Sequence, residues 1–564
     1  MDVEKKRGQK VVVKPQTERH WAKKATVALL AVVGLTATAC SNQGNLDGNE
    51  EEKPSGPQPT DFFGYMVNTP LATTNAGTAF GSATSAAQLS SRLYPAIYVP
   101  GPSGQMIPNS DLVQTEELPS SPENPNKQIS FTLSEQAKFS DGVAVTCDDY
   151  LLAFTAGVMA SEFGSHMPLM NEIAQFECAP NSKKFTITFN EGEGDRWRYL
   201  FGPGTVMPAH ALAKKAGLTM EELNTTLSFQ DPTALQPVAD KWRYGFSTAP
   251  ADFDPELQVS FGPFVVDKVG EQGEIILKAN KEYVGDKPAT DTVVVWPNTA
   301  DAKALKDSGN LRVVDAAEAK PEWLPAADQA SPYEVEPVVG GLTDTLALSQ
   351  SGVFQESWAR EAFASCIDHG RLAKVSSQQS GVEVPPVYLR TLRHSDPVAT
   401  HLGQVSKEHQ GQDMAKAANL SGYTVKIGYL GPDERYRAMV EEIKKMCEPA
   451  GITIEDQSAE YMSQHYLEMD PATWTPTIDA FLGPVDPMTE YATPDSNIKR
   501  LEEIKEAEKK LWEDVPSIPV AAQPRVFIVD RSVKGVVPYT GAAGIGWNMD
   551  RWSAPSAAPV STQR

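Results

Sequence analysis

Hydrophobic and polar positions alternate with period two in QISFTL at 128–133 and in KFTITF at 184–189, and each run predicts a strand with one buried face. Between them a helix is predicted from Thr146. There Thr146 and Asp149 stand three apart, just ahead of Tyr150, Leu151, Leu152 and Phe154, in the spacing of a capping box. Farther on, TVKIGYL at 424–430 reads as a strand, and 433–447 as a helix with Tyr436, Met439, Val440, Ile443 and Cys447 on one stripe. After Pro449 and Gly451, Ile452-Thr453-Ile454 returns as a short strand, so this stretch reads as a βαβ unit. A last helix, 498–512, carries Leu501, Ile504, Leu511 and Trp512 on its buried side. The pattern predicts mixed α/β architecture. Pro and Gly clusters at 100–102, 202–204 and 385–386 punctuate it without setting off a separate domain, and the sequence has no internal repeat or heptad run.

One apolar run follows neither period. ATVALLAVVGLTATA at 25–39 comes after a segment dense in Lys and Arg up to Lys24, and it is shorter than the ~20 apolar residues that cross a bilayer as a helix. It predicts a secretory signal. The run ends at Cys40, after Thr38 and Ala39 and before Ser41, which resembles the lipobox of bacterial lipoproteins. The expectation is that residues 1–39 are removed, that the Cys40 sulfur is lipidated, and that 40–60, polar and rich in Gly and Pro, is a flexible tether. The body would then be lipid-anchored at the outer face of the plasma membrane, in the cell envelope.

Composition narrows the function. With 564 residues, 41% of them hydrophobic, the chain has material for several packed lobes. Its formal net charge is −23, and the dense basic cluster belongs to the targeting segment, so nucleic acid is not an expected partner. Beyond Cys40 the cysteines are Cys147, Cys178, Cys366 and Cys447. Their even number in an exported chain predicts disulfides; three pairings are open, and proximity favours Cys147 with Cys178. No CxxC is present and the histidines are scattered, so neither a metal nor a cofactor is expected; His394, His401 and His409 read as solvated. Without G-x-S-x-G, H-E-x-x-H or a P-loop, an enzyme is not expected either.

Four segments resemble, in order, the signatures of the bacterial extracellular solute-binding proteins of family 5, the oligopeptide- and dipeptide-binding lipoproteins of ABC transporters. They are ISFTLSEQAKFSDGVAVTCDDYLLAF from Ile129, GPFVVDKVGEQGEIILKANKEYVGDKPATDTVVV from Gly262, WAREAFASCIDHGRLAK from Trp358 and DVPSIPVA from Asp514. The resemblance implies a two-lobed, periplasmic-binding-protein-like α/β fold, a Venus flytrap with an extra subdomain in the first lobe. Lobe I would take 61–95, 245–320 and 520–552, the inserted subdomain 96–244, lobe II 321–519, and 553–564 would be a disordered tail. Ligand, a peptide or other small solute, would sit between the lobes, and the lobes would dock on ABC permease subunits.

The resemblance also implies site residues. Peptide binders of the family hold the ligand's amino terminus with an acid in a region that corresponds to WTPTIDAFLGPVDPMTEYATPDSN from Trp474, which makes Asp479 and Asp486 the candidate clamps and Trp474 a wall. This region is abbreviated relative to the family, and such acids also read as turn or cap residues. Asn75, Gly77 and Thr78 would lie in a lobe I loop near the cleft, while Trp242 and Arg243, with Tyr244, would either line the cleft or seal the lobe junction. A further resemblance, in 68–108, in Thr146-Cys147-Asp148-Asp149 and in GIGWNMDRW from Gly544, is to the LpqW-like actinobacterial branch. That branch implies an alternative: a regulatory lipoprotein of phosphatidylinositol mannoside and lipoglycan synthesis, with a degenerate or glycolipid-binding cleft and a glycolipid or membrane mannosyltransferase as partner.

Overall fold

The computed structural model describes residues 62–101, 104–122, 125–324 and 331–555. The expected signal peptide 1–39, the lipidation site Cys40 and the tether 40–60 lie outside the described residues. The strands in chain order are β1 (Phe63–Met66), β2 (Tyr98–Pro100), β3 (Met106–Pro108), β4 (Val113–Leu118), β5 (Gln128–Leu133), β6 (Ile173–Glu177), β7 (Lys184–Phe189) and β8 (Phe264–Val269). They continue with β9 (Ile275–Ala279), β10 (Thr292–Trp296), β11 (Val313–Ala316), β12 (Tyr333–Leu348), β13 (Thr424–Gly428), β14 (Thr453–Asp456), β15 (Ala480–Val485) and β16 (Ser517–Asp530).

Ten of these strands form one sheet in the order β14-β13-β15-β12-β16-β11-β1-β10-β9-β8. Two long strands hold it together. β12 and β16 pair antiparallel from Tyr333↔Asp530 to Ala347↔Ser517, but the register breaks between Val339 and Thr343. Gly340 and Gly341 sit in that break, opposite Gln523 and Pro524, where small residues and a missing N–H interrupt the ladder. On one side of the break β16 continues to β11 and β1; on the other β12 continues to β15 and β13. The two halves therefore share these strands, which change neighbours near Gly340 and Pro524.

The period-two pattern feeds two cores. On β1, Phe63 and Tyr65 face one and Met66 the other. The first core includes the inserted stretch, where β4-β5-β7-β6 form a separate antiparallel sheet. Ile129, Phe131 and Leu133 alternate inward on β5 as expected, and Phe131 stacks on Phe185 at 4.6 Å. The helix Cys147–Val158 opens where the capping spacing placed it, with Asp149 accepting hydrogen bonds from the Thr146 and Ala209 N–H groups at 2.8 Å each. Burial outweighs those bonds and pushes the Asp149 carboxyl up to about 7.

The second core contains the expected βαβ unit: β13 and β14 are parallel, and the helix Glu434–Cys447 crosses between them with Tyr436, Met439, Val440, Ile443 and Cys447 buried. Both disulfides are present, Cys147–Cys178 across 31 residues and Cys366–Cys447 across 81. His409 departs from its expected solvated state. Its ring stacks on Trp512 at 3.7 Å, and burial with the nearby Arg390 charge pushes its pKa down to about 4. Within the stretch from 553 expected as a tail, Ser553 is tied to Lys534 by reciprocal backbone hydrogen bonds and Ala554 packs on the first core. Residues 556–564 lie outside the described residues.

Candidate functional site

Parallel strands leave their carboxyl ends on one edge, and ligands of open α/β sheets bind outside those ends. β1, β10 and β11 run parallel in one half of the sheet, as do β13, β14 and β15 in the other. Both sets of carboxyl ends open on a single cavity of about 700 Å³, which falls within the ~300–1,000 Å³ of small-molecule and peptide sites. Asn68 follows β1, Asn298 follows β10 and Glu318 follows β11; from the other half, Leu430 follows β13 and Asp486 follows β15. The inserted subdomain supplies an apolar wall through Met167, Leu169, Met170 and Phe201.

The floor lies where β16 crosses from one half to the other. Gln523 and Arg525 alternate on the same face of β16, and Arg525 forms a buried ion pair with Asp315 of β11. Gln88 adds an amide hydrogen bond to the same Asp315 oxygen at 3.2 Å. Burial pushes the Asp315 carboxyl up, and the Arg525 guanidinium opposes that shift. Gly544, at φ +53°, lets the C-terminal segment lie on this floor. A Cβ there would come within 2.8 Å of Arg525 Nη2 and 2.9 Å of Gln88.

Most ionic side chains of the wall are already paired within the protein. Arg435, in the first turn of Glu434–Cys447, forms an ion pair with the fully buried Asp344 of β12, and the Tyr436 hydroxyl donates to the other Asp344 oxygen at 2.9 Å. Asp486 takes a two-pronged contact from Arg393, at 3.1 and 2.7 Å, and its charge holds the guanidinium pKa above its usual value. Arg92 pairs with Asp550 at 2.7 Å and Glu434 with Arg437. His166 of the inserted subdomain meets Glu490 of the second half at 3.0 Å across the cavity. Burial of the His166 ring opposes its charge, but the Glu490 carboxylate outweighs burial and leaves the pKa raised.

Other contacts close the same seam. Arg196, buried in the inserted subdomain, donates to the carbonyls of Pro487 and Thr391 at 2.6 Å each, and Arg500 forms an ion pair with Asp195. These bonds tie the inserted subdomain to the second half beside the cavity.

Among the candidate ligand residues, Asp486 lines the cavity, whereas Asp479, Trp474, Asn75, Thr78, Trp242 and Arg243 do not. Asp479 precedes β15 at its amino end. Its carboxylate accepts from the Lys426 N–H at 2.8 Å, and its own N–H donates to the Lys426 carbonyl at 2.8 Å, so it pins β13 to β15. Trp474 is 75% exposed in a turn closed by its N–H on the Asp470 carbonyl. Asn75 is buried, with its amide donating to the Trp242 carbonyl at 2.9 Å, and Thr78 is the N-cap of the short helix Ala79–Ala83. Trp242 is fully buried against Phe163, and Arg243 donates to the Ser161 carbonyl at 2.7 Å. Trp242 and Arg243 thus pack on the inserted subdomain, outside the cavity lining.

Sequence reasoning missed Arg435, Arg525, Gln523 and the His166–Glu490 contact. A usable signal existed for Arg435, which falls a few residues past the predicted strand at 424–430, on the carboxyl-end side of a βαβ unit. None existed for the others, which depend on partners hundreds of positions away.

Comparison with known proteins places this architecture. The model of the bacterial extracellular solute-binding proteins, family 5 (Middle), matches residues 116–494. The chain is 25% identical over 574 residues to Uncharacterized lipoprotein Rv2585c of Mycobacterium tuberculosis, covering 94% of this chain and 96% of the relative. Its fold is similar to that of the binding protein AgaA from A. tumefaciens R10 in complex with agropinic acid, with TM-score 0.62, 16% identity and coverage of 88% and 99% of the two chains. It is also similar to the oligopeptide-binding protein AppA of Bacillus subtilis in complex with a nonapeptide, with TM-score 0.60, 14% identity and coverage of 89% and 100%. These neighbours are two-lobed binding proteins.

Proposed function

The chain belongs to the bacterial extracellular solute-binding proteins of family 5, and from that membership we propose that it captures a peptide or similarly sized solute between its two lobes outside the cytoplasmic membrane and hands it to an ABC permease. The observation that carries this reading is the cavity of about 700 Å³ at the carboxyl ends of both sets of parallel strands. Binding there would favour the closed arrangement in proportion to the contacts that only the closed form makes. The lipobox-like Cys40 and the lipoprotein relatives support an anchor in the cell envelope.

Thermal unfolding of the purified full-length protein with peptide pools tests the reading. A ligand at about 100 times its dissociation constant stabilises the native state by ~2.7 kcal/mol, enough to raise the melting temperature by a few degrees. Absence of any rise with peptides of four to nine residues, tested up to millimolar concentration, would sink it.

A second reading draws on the two candidate clamps, since the Asp479 carboxylate is spent on the Lys426 backbone and Asp486 is paired with Arg393. In it the protein regulates phosphatidylinositol mannoside and lipoglycan synthesis through a glycolipid or a membrane mannosyltransferase. A rise in melting temperature with extracted inositol mannolipids and none with peptides would favour it.

A further inference from the structure

Most charges of the cavity wall are paired within the protein. Arg92, Arg435 and Arg525 are held by Asp550, Asp344 and Asp315, and Asp486 and Glu490 are held by Arg393 and His166. Glu434 pairs with Arg437, and Asp433 accepts from the Tyr436 N–H at 2.8 Å as a helix cap. Among the described lining residues this leaves Arg198 and Glu318, both exposed. The Arg198 guanidinium lies 4.4 Å over the Trp197 ring, and partial burial, then the nearby Glu322 charge, push the Glu318 carboxyl up from its usual value. A charged ligand end directed at one of the buried pairs, Arg435–Asp344 or Arg525–Asp315, would have to displace a partner and leave it uncompensated.

Neutral hydrogen-bonding groups and apolar surface remain. Gln88 and Gln523 line the floor at 7% and 9% exposure, and the side-chain carbonyl oxygen of each has no hydrogen-bond partner. The orientation of Gln88 is fixed, because its amide N–H must face the Asp315 carboxylate. Each is a buried acceptor without a partner, which an amide N–H would reach with a shift of the floor side chains. Met167, Met170, Phe201, Leu430 and Val485 add apolar surface to the same cavity, and methionines adapt to side groups of different shape.

We propose that the cleft takes an uncharged peptide segment, with its ends blocked or outside the cavity, and holds it by neutral hydrogen bonds to the Gln88–Gln523 floor and by apolar contact instead of by clamping a charged terminus. The proposal rests on the solute-binding reading above. It names a ligand class for that site and relocates polar recognition from lobe II to the β16 floor.

The test uses two pools of tetrapeptides built from Ala, Leu, Ser and Gly, short enough that both ends must enter the cavity. One pool is acetylated and amidated, the other has free ends, and both are measured against the full-length protein by native mass spectrometry and thermal unfolding. The capped pool should bind at least as tightly as the free one, and its affinity should change less than about twofold with added salt. Gln523→Leu should weaken capped-pool binding by about tenfold, the effect of an unpaired polar group on recognition. Loss of about tenfold or more on capping would overturn the proposal and leave the solute-binding reading standing; unchanged affinity in Gln523→Leu would overturn the floor assignment. Failure of both pools, together with longer free peptides, would remove the reading itself. Preference for inositol mannolipids over both pools would overturn the proposal in favour of the second reading.

Discussion

Asp479 and Asp486 stand at opposite ends of strand β15. At the amino end Asp479 is spent on scaffold: its carboxylate and its own N–H both bond the backbone of Lys426 on the neighbouring parallel strand, and its carbonyl accepts from Ser349. At the carboxyl end Asp486 lines the cavity, caps the short helix Pro487–Glu490 and meets Arg393. Both are acidic and both belong to the region that the resemblance marks as a clamp. The sense of the strand, fixed by its parallel pairing with β13, puts one at the end away from the cavity and the other at the cavity. The helix Glu434–Cys447 repeats the contrast, with Arg435 at the cavity and Cys447 in a disulfide at the far end.

The largest expected effect lies at the scaffold end of that helix. Replacing Cys366 and Cys447 together by alanine frees a loop of 81 residues, and the chain-entropy estimate puts the loss at about 4 kcal/mol. Urea unfolding should show that loss while ligand affinity, measured on the remaining folded fraction, stays unchanged. A parallel loss of affinity would mean that the two ends of the helix are not independent.

Next comes Asp479→Ala, which strands the Lys426 N–H at the β13–β15 seam. The cost of such an unsatisfied group is about 1–3 kcal/mol, again with no change in affinity. Weakened binding at unchanged stability would restore Asp479 as a ligand clamp and reverse the assignment of the two ends.

The smallest effect belongs to the cavity side and depends on pH. The His166 pKa is raised in the folded protein by Glu490, so the contact contributes fully below the ordinary histidine value of about 6.5 and is lost as pH rises through the higher folded value. A partly exposed pair of this kind is worth about 1 kcal/mol or less. Distance measurements between labels on the inserted subdomain and the second half should show slightly more open molecules at pH 8 than at pH 6. Glu490→Gln should abolish the difference; a pH response that survives it would assign the closure to other groups.

Several features were legible along the chain because their causes are local. Periods of two and of 3.6 residues mark β5, β7, β13 and the helix Glu434–Cys447, and the spacing of Thr146 and Asp149 marks a helix start, since each depends on neighbours within a turn or two. Proximity in sequence favoured the pair Cys147–Cys178. Glu508 and Trp512 mark the limit. The last helix was placed correctly, yet its stripe gives no hint that Glu508 turns inward to accept from the N–H groups of Arg390 and Thr391, or that His409 lies on Trp512.

The sequence by itself marked the strongly periodic elements, favoured one of the disulfide pairs and pointed to the family to which the chain belongs, because period, spacing and motif order are properties of the chain. Only the tertiary structure decided which polar residues line the cavity. Strand β15 is parallel to β13 across some fifty intervening residues, and β16 carries Arg525 to an Asp315 that lies 210 positions earlier. Each of those pairings sets which side chain is spent on a neighbour and which is left facing the cavity. A buried carboxylate takes whatever donor the fold brings to it, and no local pattern records which donor that will be.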